Sequence, residues 1–145
     1  MSLLQSLIVQ LKNKEAQLFP GAPIPQIQTT SILLVKAGFQ RIPRDYITFL
    51  QLSDGFAWNG IELFSCKTHE RAGTVFSQPT LQEYQQRYLT GKFWTSYLVV
   101  GRAMECLICY NFKNKNYQLL DRYSLQPILK FPRFQDILYH LITTM

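Results

Sequence analysis

Residues 42–64 constrain the fold more than any other part of the chain, because they encode a helix start, a helix end, a turn and a strand in succession. Pro43 is typical of a first helical turn, where its missing N–H would have no partner in any case. An apolar stripe at helical spacing follows: Tyr46, Phe49 and Leu50. Gly55 suits a left-handed residue after the helix, and Asn59-Gly60 predicts a turn into a strand over 61–64.

Before this stretch, the pattern predicts two helices separated by a loop. Ser2 and Gln5 form a capping-box pattern, and apolar residues at helical spacing extend the first predicted helix to about residue 18. Three prolines in residues 19–28 indicate a loop. Thr29 or Thr30 is then expected to cap a short second helix that ends near Gly38.

After residue 64, the sequence predicts a polar loop, one helix, an antiparallel meander and a closing helix. The expected elements are a loop over 66–79, a helix over 80–89, strands over 97–101, 105–112 and 117–120, an edge strand over 124–130, and a helix from 131 onward. Pro127 favours the edge position because it cannot donate to a strand ladder. We therefore predict an α+β fold over residues 1–145: one domain with a mainly antiparallel sheet, flanked by N-terminal helices and a C-terminal helix.

Composition and charge narrow the choice of partners. Of the 145 residues, 47% are hydrophobic and 17% are charged, which suffices for a packed core. The formal net charge of +6 would attract an acidic protein, a nucleic acid or an anionic membrane surface. The basic residues are spread along the chain without a dense patch, which disfavours nucleic acid as the partner.

The cysteine count indicates a reducing compartment, and the hydropathy pattern disfavours a signal peptide and a membrane span. Three cysteines do not make a disulfide framework, so we expect a cytoplasmic protein. The apolar N-terminal residues lack a basic leading segment and a cleavage site, and no run is long enough for a membrane span.

Two pairs of potential metal ligands have zinc-like spacing: Cys66-x-x-His69 and Cys106-x-x-Cys109. The second pair falls within a predicted strand, where positions three apart point to opposite faces. Because the two thiols cannot then reach one ion, we expect no metal site and no cofactor.

Few residues are suited to catalysis. Cys66 and His69 are the only nucleophile and base that lie close in sequence, so a hydrolase built on them is a distant alternative. Asp54 is expected at a helix end and Glu62 on a solvent-facing strand position. No glycine-rich phosphate loop is present, and we predict a protein without catalytic residues.

Four aromatic residues fall in or beside predicted loops, where neither helix nor strand periodicity requires them: Phe56, Trp58, Phe93 and Trp94. One interpretation is that they cover the core. The other is that they anchor a protein partner, since aromatic side chains dominate binding hot spots. We take them as candidate partner-binding residues.

The motif order resembles that of the SUKH superfamily, the yeast cell-wall-assembly-regulator-like proteins. The resemblance rests on IPRDYITFLQLSDGFAWNGIELF, then YLVVGR, a hairpin ending in YQLLDRY, and FPRFQDIL in the last helix. It covers about Gly38 to Ile142 and is nearest to the YrhA-type branch. The N-terminal helix and Pro-rich loop, residues 1–28, lie outside it.

This resemblance implies an α+β domain with a non-enzymatic, protein-binding role. Many bacterial members of the superfamily are immunity proteins that neutralise a cognate toxin of a polymorphic or contact-dependent system, and others are regulatory or scaffolding modules. An immunity protein is therefore our leading expectation. The alternative is a basic nucleic-acid-associated or regulatory scaffold domain. Inhibitors of basic nucleases are usually acidic, so a chain of net charge +6 implies an acidic partner or one that is not a nuclease.

Overall fold

Among the residues that the structure describes, seven strands form one antiparallel sheet in which the spatial order is the order along the chain. The structure, a computed structural model, describes residues 1–70 and 77–144. The strands are β1 (Gln17–Leu18), β2 (Phe56–Trp58), β3 (Ile61–Leu63), β4 (Tyr97–Ala103), β5 (Cys106–Asn111), β6 (Asn116–Asp121) and β7 (Pro127–Phe131). The helices are α1 (Leu3–Asn13), α2 (Ile24–Lys36), α3 (Arg44–Leu52), α4 (Leu81–Tyr88) and α5 (Phe134–Thr144), and a 3₁₀ turn spans Lys92–Ser96. The predicted α+β fold with a mainly antiparallel sheet is confirmed.

Helices cover both faces of the sheet. Tyr117 of β6 packs edge-on against Phe134 of α5, and Phe134 packs against Tyr46 of α3, with ring centroids 5.6 and 5.1 Å apart. Tyr110 of β5 contacts Tyr117 of β6, so these two side chains lie on the same face of the sheet. Leu107 lies an odd number of positions from Tyr110 along β5. Because side chains alternate along a strand, Leu107 points to the opposite face. That face meets α4 and the 3₁₀ turn.

Asp45 joins three elements on the α3 side of the sheet. Its carboxylate accepts hydrogen bonds from the Tyr117 hydroxyl of β6 and, at 2.8 Å, from the Phe134 N–H at the start of α5. The second bond satisfies a donor that a helix start leaves without an intrahelical partner. Asp45 therefore fixes where α3, β6 and α5 meet.

The side-chain amide of Gln85 in α4 bonds to the backbone of β4 where no neighbouring strand pairs with it. Its side chain accepts from the Val99 N–H at 3.0 Å and donates to the Val99 carbonyl at 2.7 Å. β3 pairs with β4 only from Gly101 to Ala103, so Val99 lies beyond the end of that ladder. Both polar groups of Val99 are buried, and the amide of Gln85 satisfies them as a backbone would.

The N-terminal boundaries differ from the prediction. α1 has the expected capping box at Ser2 but ends at Asn13, where the helix was predicted to reach residue 18. Glu15 then adopts a positive φ of 61°, and β1 pairs with β2. A two-residue strand leaves no periodic signal of its own, because it exists only through its partner.

The start of α2 was also predicted wrongly. The helix begins at Ile24 with Pro23 as its N-terminal cap, within the segment predicted as a loop. Proline is tolerated in the first helical turn, so Pro25 does not break this helix. The end of α2 just before Gly38, which has a φ of 92°, agrees with the prediction.

Several predicted boundaries are confirmed. Pro43 caps the start of α3, and Asn59-Gly60 forms the turn between β2 and β3. β7 lies at the sheet edge, as Pro127 indicated. The predicted loop over 66–79 falls partly outside the described residues. Within the described part of the chain, no helix has the length and apolar character needed to cross a membrane.

Candidate protein-binding surface

Two of the four aromatic residues predicted to bind a partner are buried. Phe56 is fully buried in β2 and contacts Phe49 of α3, with ring centroids 6.3 Å apart. Residues 56–58 form a strand where a loop was expected, which turns Phe56 into the core. Trp94 is also buried, packed edge-on against Tyr97. The expectation that these two side chains are exposed is wrong.

The other two aromatic residues reach the surface at separate places. Trp58 is half-buried, with the Lys14 ammonium 5.6 Å from its ring. Phe93 is 43% exposed and stacks on Tyr97. Trp58 is the last residue of β2, and Phe93 lies in the 3₁₀ turn. The four aromatic residues therefore do not form one shared binding surface.

The acid at position 54 anchors the loop that contains Cys66 and His69. Asp54 is buried and accepts from the Cys66 N–H at 2.8 Å and the Lys67 N–H at 3.3 Å. The His69 Nε2 atom lies 2.8 Å from Asp54 Oδ2, and its ring stacks on Phe19 at 4.3 Å. Asp54 had been predicted at a helix end. The acid lies just beyond α3, and its principal partners are in the following loop.

This cluster lacks the chemistry of a cysteine nucleophile. Burial, together with the negative charge of Asp54, raises the pKa of Cys66 to about 12. The thiol is therefore protonated at neutral pH, whereas nucleophilic cysteines depend on a lowered pKa. Among residues 1–70 and 77–144, no three His, Cys, Asp or Glu side chains form a group that could hold a metal ion.

A groove lies where α2, α3 and β5 meet. Its volume is about 740 Å³. Arg41, Arg44, Asp45, Tyr110 and Phe112 contribute its polar and aromatic lining. We call it the basic groove.

The two arginines of the basic groove, Arg41 and Arg44, are exposed cations. The Arg41 guanidinium lies over the Phe112 ring, 5.4 Å from its centroid. Within the described ranges, neither Arg41 nor Arg44 forms an ion pair with a carboxylate. Asp45 lines the groove, but its oxygens accept from Tyr117 and Phe134. The groove therefore offers positive charge that this part of the chain does not neutralise.

An apolar helix face continues the basic groove. Ile32 and Val35 of α2 are 55% and 54% exposed, and both line a hollow that also includes Lys36 and Arg41. Arg41 therefore borders the groove and the hollow alike. Exposed apolar side chains beside unpaired cations have the composition of an interaction site.

Sequence reasoning missed this surface for a topological reason. Arg41 and Phe112 are far apart in the chain and meet only when β5 packs beside the segment that enters α3. The apolar residues of α2 gave a usable signal, because a run of Ile, Leu and Val exceeds the single stripe that a surface helix buries.

No family model matches the chain, and no curated protein matches it significantly. The resemblance to the SUKH superfamily thus stays a prediction from motif order.

Proposed function

We propose that this chain is a non-enzymatic protein-binding module of the SUKH type, acting in the cytoplasm as an immunity protein that neutralises a toxin domain. The observation that carries the proposal is the continuity of the basic groove with the exposed apolar face of α2. A toxin inhibitor requires such a surface, because affinity comes from apolar burial and specificity from complementary charge.

The cationic side chains of this surface indicate the kind of partner. Arg41, Arg44 and Lys36 meet no described carboxylate in an ion pair, so binding an acidic surface would not first require breaking one. The acidic partner would place carboxylates against these cations and apolar side chains against Ile32 and Val35. Arginine beside an aromatic ring, as at Arg41 and Phe112, is a frequent hot-spot composition.

Co-expression tests this function directly. A toxin-bearing reading frame adjacent to the gene is expressed with and without this chain, and cell survival is measured. We expect survival only with the chain, and a complex of the two purified proteins. Equal killing in both cases would contradict the immunity role.

Charge reversal locates the binding surface. Arg41→Glu with Arg44→Glu should weaken the complex by about tenfold or more, since each lost hot-spot contact costs more than about 1 kcal/mol. Both side chains are exposed, so the fold should persist. The matched control is Arg87→Glu with Lys92→Glu, an equal charge change at exposed positions outside the groove. Equal weakening by the two pairs would show a general charge effect and exclude the groove.

The second candidate function, a nucleic-acid-associated domain, draws on the same groove. Its Arg41–Phe112 pair and Tyr110 ring combine charge with stacking surfaces, as in sites for single strands. Fluorescence anisotropy with labelled single-stranded RNA and DNA distinguishes the two functions. Binding that falls steeply with salt and depends on Arg41 would favour nucleic acid over a protein partner.

A further inference from the structure

A second cleft lies on the opposite face of the sheet from α3, between α4 and strands β4 and β5. It consists of two adjoining hollows, of about 370 and 200 Å³, which share Tyr88 and Arg102. We call it the arginine cleft. None of its lining residues belongs to the basic groove.

Apolar and aromatic residues form much of the wall of the larger hollow of the arginine cleft. Leu89, Trp94 and Leu107 form its buried walls. Tyr84 stacks on Phe64 with ring centroids 4.6 Å apart. Tyr88 is 55% exposed and leans on Tyr84 at 4.9 Å. An exposed ring beside rigid aromatic walls suits a flat, unsaturated group.

Three of the described arginines line the arginine cleft. The Arg102 guanidinium lies 5.8 Å from the ring centroids of both Phe64 and Tyr84, and it pairs with Glu62 at 3.1 Å. Arg122 lines the larger hollow and Arg87 the smaller one. Within the described part of the chain, neither forms an ion pair with a carboxylate.

Two acids lie at or beside the cleft: Glu83 lines it, and Glu62 contacts its Arg102. Glu62 pairs with Arg102, and Glu83 accepts from the Thr80 N–H at 3.0 Å in the capping box of α4. Among residues 1–70 and 77–144, three guanidinium groups therefore line the cleft against these two carboxylates, each of which already accepts a hydrogen bond. The excess charge in the cleft is positive.

The arginines also surround a buried hydroxyl group. Burial raises the pKa of Tyr84, and the charges of Arg122 and Arg102 oppose that rise. Both cations therefore lie near the phenol, which keeps its proton at neutral pH and remains a hydrogen-bond donor. The arrangement places several hydrogen-bond donors beside apolar walls in a concave site, as in ligand pockets.

We propose that the arginine cleft binds a nucleoside phosphate, with the base against Tyr88 and the apolar walls and the phosphate against Arg87, Arg102 and Arg122. Guanidinium groups bind phosphate oxygens through paired N–H donors, and aromatic rings stack on any base. The inference does not depend on the proposed toxin-binding function, because the two surfaces share no lining residue.

A fluorescence titration tests the proposal. The chain has two tryptophans, so Trp58→Phe leaves Trp94 in the cleft wall as the single reporter. We expect AMP to change its fluorescence saturably, and adenosine and inorganic phosphate to bind at least about tenfold more weakly. Calorimetry on the unmodified chain provides the same affinities without a substitution.

Matched arginine variants decide whether the cleft is the site. Arg87→Gln with Arg122→Gln should weaken AMP binding by about tenfold or more. Arg41→Gln with Arg44→Gln removes the same charge from the basic groove and should leave the affinity unchanged. Circular dichroism and urea unfolding confirm that each variant is folded. The proposal is overturned by no saturable binding up to about 10 mM AMP, by equal weakening in both double variants, or by inorganic phosphate binding as tightly as AMP.

Discussion

The hydroxyl group of Tyr46 in α3 donates to the carbonyl oxygen of Phe64, just after β3, at 2.6 Å. It also lies 3.2 Å from the carbonyl oxygen of Val100 in β4. All three residues are buried, and the Val100 carbonyl also accepts from the Phe64 N–H at 2.8 Å, so the loss of the phenol would affect the Phe64 carbonyl most. One hydroxyl thus holds α3 against two strands at the point where their pairing ends.

Tyr46→Phe removes this hydroxyl while keeping the ring. We expect a loss of about 1–3 kcal/mol in the free energy of unfolding, because a buried acceptor is left without its donor. Urea unfolding measures the change. The control is Tyr139→Phe on α5, whose side chain is 51% exposed and which should change stability by less than about 0.5 kcal/mol. Equal stability of the two variants would contradict the role given to Tyr46.

Gln85→Leu tests the side chain that completes the edge of β4. The substitution is similar in size but leaves the buried N–H and carbonyl groups of Val99 without partners. We expect a loss of about 2–4 kcal/mol, from two unsatisfied groups. Gln86→Leu, at the next and exposed position of α4, should be nearly neutral. Similar unfolding midpoints for both variants would show that Gln85 is dispensable.

Asp45→Ala should destabilise the junction of α3, β6 and α5. The variant loses the acceptor for the Tyr117 hydroxyl and for the first N–H of α5. A loss of about 2–4 kcal/mol is expected in urea unfolding. Asp136→Ala provides the comparison, since it removes a surface ion pair with Arg133 and should cost less than about 1 kcal/mol.

Stability should fall at alkaline pH. Burial raises the pKa of Cys66 from its ordinary value of 9.0 to about 12, and burial also raises the pKa of Cys109 and Tyr46. Above pH 9 the unfolded thiol loses its proton first, so the folded state binds more protons and unfolding becomes easier as pH rises. The urea midpoint should therefore decrease steadily from about pH 9 to pH 11.

Cys66→Ser provides the control for this pH dependence. Serine does not titrate in this range, so the variant's midpoint should fall less steeply between pH 9 and pH 12 than that of the unmodified chain. Identical slopes would mean that Cys66 does not contribute to the alkaline destabilisation.

The sequence predicted correctly those helices and turns whose patterns lie entirely within their own residues. The apolar period of α5, the Pro43 cap and the Asn59-Gly60 turn are all readable without tertiary context. β1 is different, because its two residues become a strand only by pairing with β2. The predicted start of α2 was too late, because proline disrupts a helix interior but is accepted in the first turn, where Pro25 lies.

The surfaces were harder to predict than the fold for a related reason. Phe56 was assigned to an exposed loop because the short strand β2 was not recognised. The basic groove and the arginine cleft each collect residues from separate elements, such as Arg87 of α4 with Arg102 of β4. A residue's type and spacing in the chain do not encode which distant neighbour packs beside it.

The consecutive order of the strands has a consequence for how the chain folds. From β4 to β7 each hairpin closes a short loop, so this meander loses little chain entropy as it forms. The pairing of β1 with β2 instead closes a long loop, because α2 and α3 lie between these two strands in the chain. We expect the β4–β7 meander to contribute most of the folding transition state and β1 to dock late, so that changes in β1 accelerate unfolding and leave the folding rate nearly constant.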